Sequence, residues 1–386
     1  MRIVHVITRL IVGGAQENTV DTVLGLRRLF GADVTLISGP TTGPEGSLED
    51  RFLEHPGVLN RARHLVRPIH PWHDALAIFE LTRKLKIQRA EVVHTHSGKA
   101  GILGRLSARR AGAALVVHGI HGPSFGPFQS PLSNTVFRTA ESQAAKWTDH
   151  FVTVADAMSR QYMAAGIGAP QQFTCIRSGF DLAPFQNTRR DPERLKSLGW
   201  PEDAVVVGVV ARLFKLKGHD ELLDAAPTLI REHPQLRFLF IGDGLFRSRL
   251  EERVRQSGLM GHVHFTGLVR PESVPGWVGC MDLLAHLSRR EGLARALSQA
   301  AAAGKPTVAY NCDGAGEVCI DGQTGFLIEP GDQSGLLRHL GALAGDSALR
   351  ERLGRAGAAL ARSEFDVRTM VERTWELYLR LYSKPH

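Results

Sequence analysis

At 386 residues the chain has room for two ordinary domains, each large enough for its own core. Its 43% hydrophobic and 22% charged residues fit a globular protein, and no apolar run approaches the roughly 20 residues that a membrane-spanning helix needs. The formal net charge of +8 favours anionic partners such as nucleotide phosphates, phosphorylated lipids or an acidic membrane surface. Nucleic acid is set aside, because no recognition motif with interleaved aromatics accompanies that charge.

The opening stretch MRIVHVITRLIVGGAQ pairs an early arginine with a short apolar run, as a signal peptide does. It runs straight into Gly13-Gly14 and a helical pattern without a cleavage site, so it reads as a first strand over Arg2–Ile7. Further strands are expected at Asp33–Ser38, Glu91–His94, Leu115–His118 and His150–Val154, with apolar-periodic segments such as Glu17–Leu29 and Ala100–Ala111 between them. The second half repeats the alternation, with strands at Val205–Val210, Arg237–Ile241, His262–Phe265, Leu283–Leu287, Thr307–Tyr310 and Gly325–Ile328. Val367–Tyr382 reads as a terminal helix whose Met370, Trp375, Leu377, Tyr378 and Leu381 pack into a core.

Such alternation predicts parallel sheets covered by helices on both faces, an α/β architecture of two doubly wound, Rossmann-like domains. The expected domains are 1–186 and 187–365, with 366–386 packing back on the first. Ligands of open parallel sheets bind outside the carboxyl ends of the strands, so a cleft between two such domains is the expected site. Cys175, Cys280, Cys312 and Cys319 are scattered without a CxxC pair and read as reduced thiols of a cytoplasmic protein. No metal site is expected: His94 and His96 share one face of a strand without supplying enough ligands.

The chemistry-bearing residues fall at strand ends. In VVARLFKLKGHDELL a hydrophobic strand gives way to Arg212, and Lys217-Gly218 precede a helix beginning near His219. Arginine offers a planar fork for phosphate oxygens, lysine a mobile point charge, and glycine lets backbone approach closely. Read alone, the segment is equally a solvated basic loop. Gly14 opens a helix after the first strand, a place where phosphate or sugar can approach, although the full GxGxxG fingerprint is missing. His121 lies just past the strand ending LVVHGIHG and can donate from either nitrogen or move a proton. In SRREGLARALSQAAAAGKPTVA, Glu291 stands ahead of a small-residue helix whose unpaired N–H groups can receive an anion.

These motifs, together with HTHSGKAGILGRLSARRAG, IRSGFDLAPF, FLFIGDG, HFTGL and GQTGFLIEPGD, resemble a retaining, nucleotide-sugar-dependent glycosyltransferase of the family 4 type (glycosyl transferases group 1), which has the GT-B fold. The resemblance covers almost the whole chain. It implies that Arg212 and Lys217 bind the donor diphosphate, with no metal or other cofactor, and that Glu291 contacts hydroxyls of the donor sugar. Backbone N–H groups of Leu293, Ala294 and Arg295 would face the diphosphate, Gln299 the ribose, and Thr266 to Leu268 the base. Gly14 and His121 would approach the reaction centre from the first domain.

The donor implied is a nucleoside diphosphate sugar, with uridine the commoner base of the family. The acceptor that the resemblance implies is a glycan, a lipid-linked glycan or a small molecule, which would enter across loops near Pro40–Glu49 and Gly122–Ser130. Arg83, Lys84, Arg105, Arg109 and Arg110 read either as a basic face suited to an anionic acceptor or to peripheral attachment at a membrane, or equally as a solvated positive face. Three departures stand out: Gln299 where the family has a second glutamate, GLARAL in place of Gly-Phe-Gly-Leu-Pro, and Ser178 for a turn asparagine. The altered glutamate motif keeps open a second reading, a catalytically weak nucleotide-sugar-binding partner subunit; a third is a GT-B nucleotide-sugar epimerase, against which the full order of transferase motifs argues.

Overall fold

The structure is a computed structural model describing residues 1–43, 46–126 and 128–383. Pro44, Glu45 and Pro127, which belong to the two loops expected to meet an acceptor, lie outside the described residues. The chain divides into two compact units, Met1–Phe180 with the C-terminal helix, and Asp181–Asp366.

In the first unit the order is β1 (Arg2–Ile7), α1 (Gly14–Phe30), β2 (Asp33–Ser38), β3 (Leu59–Arg61), α2 (Pro71–Ile87), β4 (Val92–His96), α3 (Gly98–Ala111), β5 (Leu115–Ile120), α4 (Pro131–Ala145), β6 (His150–Thr153), α5 (Asp156–Ala164) and β7 (Phe173–Cys175). The second runs α6 (Ala183–Gln186), α7 (Pro192–Ser197), β8 (Val205–Val210), α8 (His219–Glu232), β9 (Leu236–Ile241), α9 (Arg247–Gln256), β10 (Val263–Phe265), α10 (Val274–Gly279), β11 (Leu283–His286), α11 (Arg295–Ala302), β12 (Thr307–Tyr310), β13 (Gly325–Ile328), α12 (Gln333–Gly345) and α13 (Ser347–Glu364). The last helix, α14 (Val367–Tyr382), belongs to the first unit.

Both sheets are parallel throughout, ordered β3-β2-β1-β4-β5-β6-β7 and β10-β9-β8-β11-β12-β13. Strands β4 and β5 are buried along their whole length, as a sheet covered on both faces requires. Period-two alternation sorts the residues between the faces. Ile3 and Ile7 join a core with α1 and α14, where Met370, Val371, Leu377 and Tyr378 are buried. Val4 and Val6 join the opposite core, with Ala77, Leu81 and Ala108 of α2 and α3.

Several sequence expectations need correction. Strands β4 and β5 run two residues further than expected, to His96 and Ile120, while β3 and β7 were not anticipated. Each of those two has only three residues and sits at a sheet edge, too short for a periodic pattern to show. The basic face is also smaller than the sequence suggests. Arg109 pairs with Asp149. Arg105 is fully buried on α3, where it donates to Glu141 Oε2 at 2.6 Å, to Gly101 O at 2.8 Å and to Thr148 Oγ1 at 3.2 Å. Such a charge is tolerated inside a fold only because its donors are answered. No helix of the described residues is long and apolar enough to cross a membrane.

Glu141, itself fully buried on α4, is therefore expected to be structurally critical. Glu141→Ala leaves an uncompensated guanidinium and should destabilise the fold by about 3–5 kcal/mol, whereas Arg105→Met with Glu141→Leu should come close to neutral. Urea unfolding midpoints of the two variants check this, and equal losses in both would refute it.

Candidate active site

The second sheet has the strand order of a doubly wound fold, with β8 at the centre and the direction of winding reversing between β8 and β11. Loops leaving two such strands diverge and open a crevice at their carboxyl ends. Lys217 follows β8 and Glu291 follows β11, so the topology brings together residues 74 apart in sequence. They meet as an ion pair, Lys217 Nζ donating to Glu291 Oε1, with side chains 20% and 21% exposed.

The loops are held by backbone rather than by long side chains. Gly218 has φ +75°, and a Cβ there would stand 2.4 Å from the Leu287 carbonyl oxygen, so only glycine lets the β8 loop lie against the end of β11. Arg289 N–H donates to Leu216 O at 2.8 Å, a second tie between the same two loops. Leu216 itself takes a left-handed φ of +72°, a strained conformation for leucine that puts Lys217 at the crevice.

Two residues that the sequence did not single out complete the pair's surroundings. His286 ends β11 with Nε2 3.7 Å from Glu291 Oε1. Burial drives its pKa down to about 4, against the pull of Glu291, so the imidazole is neutral near pH 7. Asp313, just past β12, accepts the Glu291 N–H through Oδ2 at 2.8 Å and holds a left-handed φ of +50°. Burial raises its pKa, and the neighbouring Glu291 carboxylate adds to that rise. For Glu291, burial pushes upward, but Lys217, His286 and a bond from Ser288 outweigh it, and the carboxyl stays below its usual range. Asp313 obeys the strand-end rule that picked out the others, so the signal for it was present in the sequence.

The remaining second-unit candidates distribute unevenly. Arg212 is exposed just beyond β8, its guanidinium 5.1 Å over the Phe214 ring. The helix after Glu291 begins at Arg295, with Ala294 as its N-cap, so Leu293 and Ala294 precede it and its first turn presents N–H groups outward. Arg295 and Gln299 lie four residues apart on a partly buried stripe of α11, while Leu297, Ser298, Ala300 and Ala301 face the core. Thr266 Oγ1 accepts from Gly242 N–H at 3.3 Å and donates to Gly267 O at 2.9 Å, tying the loop after β9 to the loop after β10. Leu268 is 69% exposed and adds apolar surface rather than core.

In the first unit, Gly14 is the first residue of α1, and a Cβ there would meet nothing within 4 Å. The fold itself therefore makes no steric demand for glycine at that position. His121 lies beyond β5 with Nε2 2.9 Å from His96 Nδ1, and burial lowers its pKa to about 4. The His94–His96 pair is not alone, as the sequence reading assumed: His5 from the adjacent strand joins it, bringing three ligand-type nitrogens within 4.8 Å.

Comparison with known proteins shows the family. The family model described as Glycosyl transferases group 1 matches residues 191–359, and that described as Glycosyltransferase Family 4 matches residues 12–183. A GDP-mannose-dependent alpha-(1-6)-phosphatidylinositol monomannoside mannosyltransferase of Mycolicibacterium smegmatis is 30% identical over 286 residues, 72% of each chain. The UDP-Gal:alpha-D-GlcNAc-diphosphoundecaprenol alpha-1,3-galactosyltransferase of Escherichia coli is 27% identical over 288 residues, 74% of each chain. Among solved structures, HepE of Anabaena in complex with UDP and glucose has a TM-score of 0.82 at 22% identity, covering 98% of this chain and 100% of that one. That last likeness is one of fold. The chain belongs to the group 1 glycosyltransferases of the family 4 type, built as two Rossmann-like units of the GT-B fold.

Proposed function

We propose that this protein transfers a sugar from a nucleoside diphosphate sugar to a glycan or lipid-linked acceptor, with retention at the anomeric carbon. The observation that carries the reading is the Lys217–Glu291 pair at the switch point of the second sheet, beside the N-terminus of α11. A donor needs two opposite things from one place: cations and N–H groups for its diphosphate, and an acceptor of hydrogen bonds for its sugar hydroxyls. Lys217 and Glu291 supply both, and their mutual bond uses only one of three ammonium protons and one of two carboxylate oxygens.

As the bond from the anomeric carbon to the diphosphate breaks, negative charge grows on the departing oxygen. Arg212, Lys217 and the first turn of α11, with Leu293, Ala294 and Arg295, are placed to stabilise that charge without reorganising. On this reading the metal-independent chemistry rests on these fixed cations. Asp313 holds the Glu291 backbone and His286 walls its carboxylate, so both are positioning residues. Thr266 and Leu268 border the base, and Gln299 meets the ribose. Gly14 and His121 belong to acceptor handling in the first unit.

The family's relatives differ in the base of their donors, GDP in one named relative and UDP in another, so the donor is best found by binding. In a thermal-shift panel of nucleoside diphosphate sugars, one donor at about a hundredfold excess over its Kd should stabilise the protein by about 2.7 kcal/mol. With that donor, Lys217→Ala should lower turnover by about 10²–10³-fold, as loss of a charge-stabilising donor does elsewhere. Glu291→Ala should cost about 1.5–3 kcal/mol of donor-sugar recognition, and full activity of either folded variant removes the assignment. Gln299→Glu should tighten donor binding by roughly 1 kcal/mol, since charge-assisted bonds are about twice as strong as neutral ones. Tight binding without hydrolysis or transfer across a broad acceptor panel would instead identify a binding subunit.

A further inference from the structure

At the switch point of the first sheet three of the side chains on one face are imidazoles. His5 of β1 stands opposite His94 of β4 in register, His96 follows two residues along, and all three are at most 3% exposed. Hydrogen bonds join them end to end. His121 Nε2 meets His96 Nδ1 at 2.9 Å, His96 Nε2 meets His5 Nδ1 at 2.8 Å, and His5 Nε2 meets the Tyr378 hydroxyl at 3.2 Å. That hydroxyl, from α14, meets His94 Nδ1 at 2.5 Å.

The two ends of the chain, His121 Nδ1 and His94 Nε2, are buried and have no partner among the described residues. Both residues line one small cavity of about 20 Å³, shared with Asn18, Thr22 and Thr374. That is room for a single water molecule. The room exists because residue 119 is glycine: a Cβ there would stand 3.0 Å from His94 Nε2, 2.9 Å from His96 Nδ1 and 3.2 Å from His121 Nε2.

Donor and acceptor counting fixes what the cavity can hold. Burial drives the pKa of His5 to about 3 and that of His121 to about 4, and places His94 and His96 well below the usual imidazole value, so all four rings are neutral near pH 7. A neutral imidazole has one N–H and one bare nitrogen, and a tyrosine hydroxyl donates one hydrogen and accepts another. Every bond in the chain is filled only when all donors point the same way. In one direction His121 Nδ1 is an acceptor and His94 Nε2 a donor; in the other the roles reverse. The ends always need one donor and one acceptor, which a water supplies at once and a metal ion does not. Stacking also opposes a metal: the His94 and His96 rings lie 4.3 Å apart and 27° from parallel, and bare nitrogens that already accept hydrogen bonds are not available as ligands.

We propose that one water molecule binds between His94 and His121 and closes His121, His96, His5, Tyr378 and His94 into a ring of neutral groups that shifts its protons together. In one full shift, a proton passes from His121 Nε2 to His96 Nδ1, from His96 Nε2 to His5 Nδ1, and from His5 Nε2 to Tyr378 Oη. The Tyr378 proton passes to His94 Nδ1, the His94 Nε2 proton to the water, and a water proton to His121 Nδ1. Each group gives one proton and gains one, so no charge appears in the interior. Tyr378 thereby couples the tautomer of His121, a ring it does not touch, to those of His5 and His94. The inference rests on the first unit alone and is independent of the proposed reaction.

Nitrogen-15 NMR of the full chain with labelled histidine reads the tautomers, and water-to-ring cross-peaks read the bound water. Near pH 7 the wild-type protein should show four neutral rings with correlated tautomers and a long-lived water at His94 or His121. Tyr378→Phe keeps the ring and removes two hydrogen bonds, and should shift the His121 tautomer ratio. Gly119→Ala should abolish the water cross-peak. An imidazolium among the four, no bound water in the wild-type protein, or an unchanged His121 ratio in folded Tyr378→Phe overturns the proposal. Uptake of one equivalent of Zn²⁺ that shifts the His5, His94 and His96 signals together overturns it as well.

Discussion

Each sheet is wound outward from an interior strand, and that constraint decides where polar chemistry can sit. β1 lies between β2 and β4, and β8 between β9 and β11, so the direction of winding reverses beside each of them. Away from that reversal the strands are filled mainly by valine, leucine, isoleucine and phenylalanine, because both faces are covered. At the reversal, connecting loops part and polar side chains collect: Lys217 and Glu291 in the loops beyond the strand ends of the second unit, and His5, His94 and His96 within the adjacent strands β1 and β4 of the first.

Much of this was legible in the sequence because it rests on local signals. Uninterrupted apolar runs such as Val205–Val210 and Thr307–Tyr310 gave strands with the right ends, and the 3.6-residue pattern of Val367–Tyr382 gave α14 to the residue. What was not legible depends on pairing across the chain. Arg105 looked like one more surface charge, since nothing near it in sequence announces Glu141, 36 residues away. His94 and His96 looked like an incomplete set, because His5 arrives through strand register and Tyr378 from 284 residues beyond His94. Asp313 and His286 were missed for a different reason: the strand-end rule covers them, but neither forms part of a recognisable local motif.

The two switch points meet the cost of buried polarity in opposite ways. In the second unit the groups are about one-fifth exposed, so water lowers the cost of charge, and permanent ions persist as a pair. Permanent charge is what an anionic diphosphate requires. In the first unit the imidazoles are almost fully enclosed, where an unpaired charge would cost several kcal/mol, and neutrality is kept by letting each ring satisfy the next. Protons can be exchanged there, but a charge cannot be held.

That contrast also bears on Gln299. Its stripe of α11 lies one turn beyond the helix mouth and carries Arg295. A carboxylate at 299 would offer the ribose a stronger hydrogen bond, yet it would stand four residues from Arg295 and draw on that same cation. It would also place a second negative charge near the helix end proposed to receive the diphosphate, where the macrodipole and Lys217 favour an anion. A neutral amide, on the proposed reading, gives up the stronger ribose bond, and with it roughly 1 kcal/mol of donor affinity, while leaving the positive potential at the diphosphate intact. On the proposed reading, the substitution shifts donor recognition from the ribose toward the phosphates, and it leaves the charge that stabilises the departing group in place.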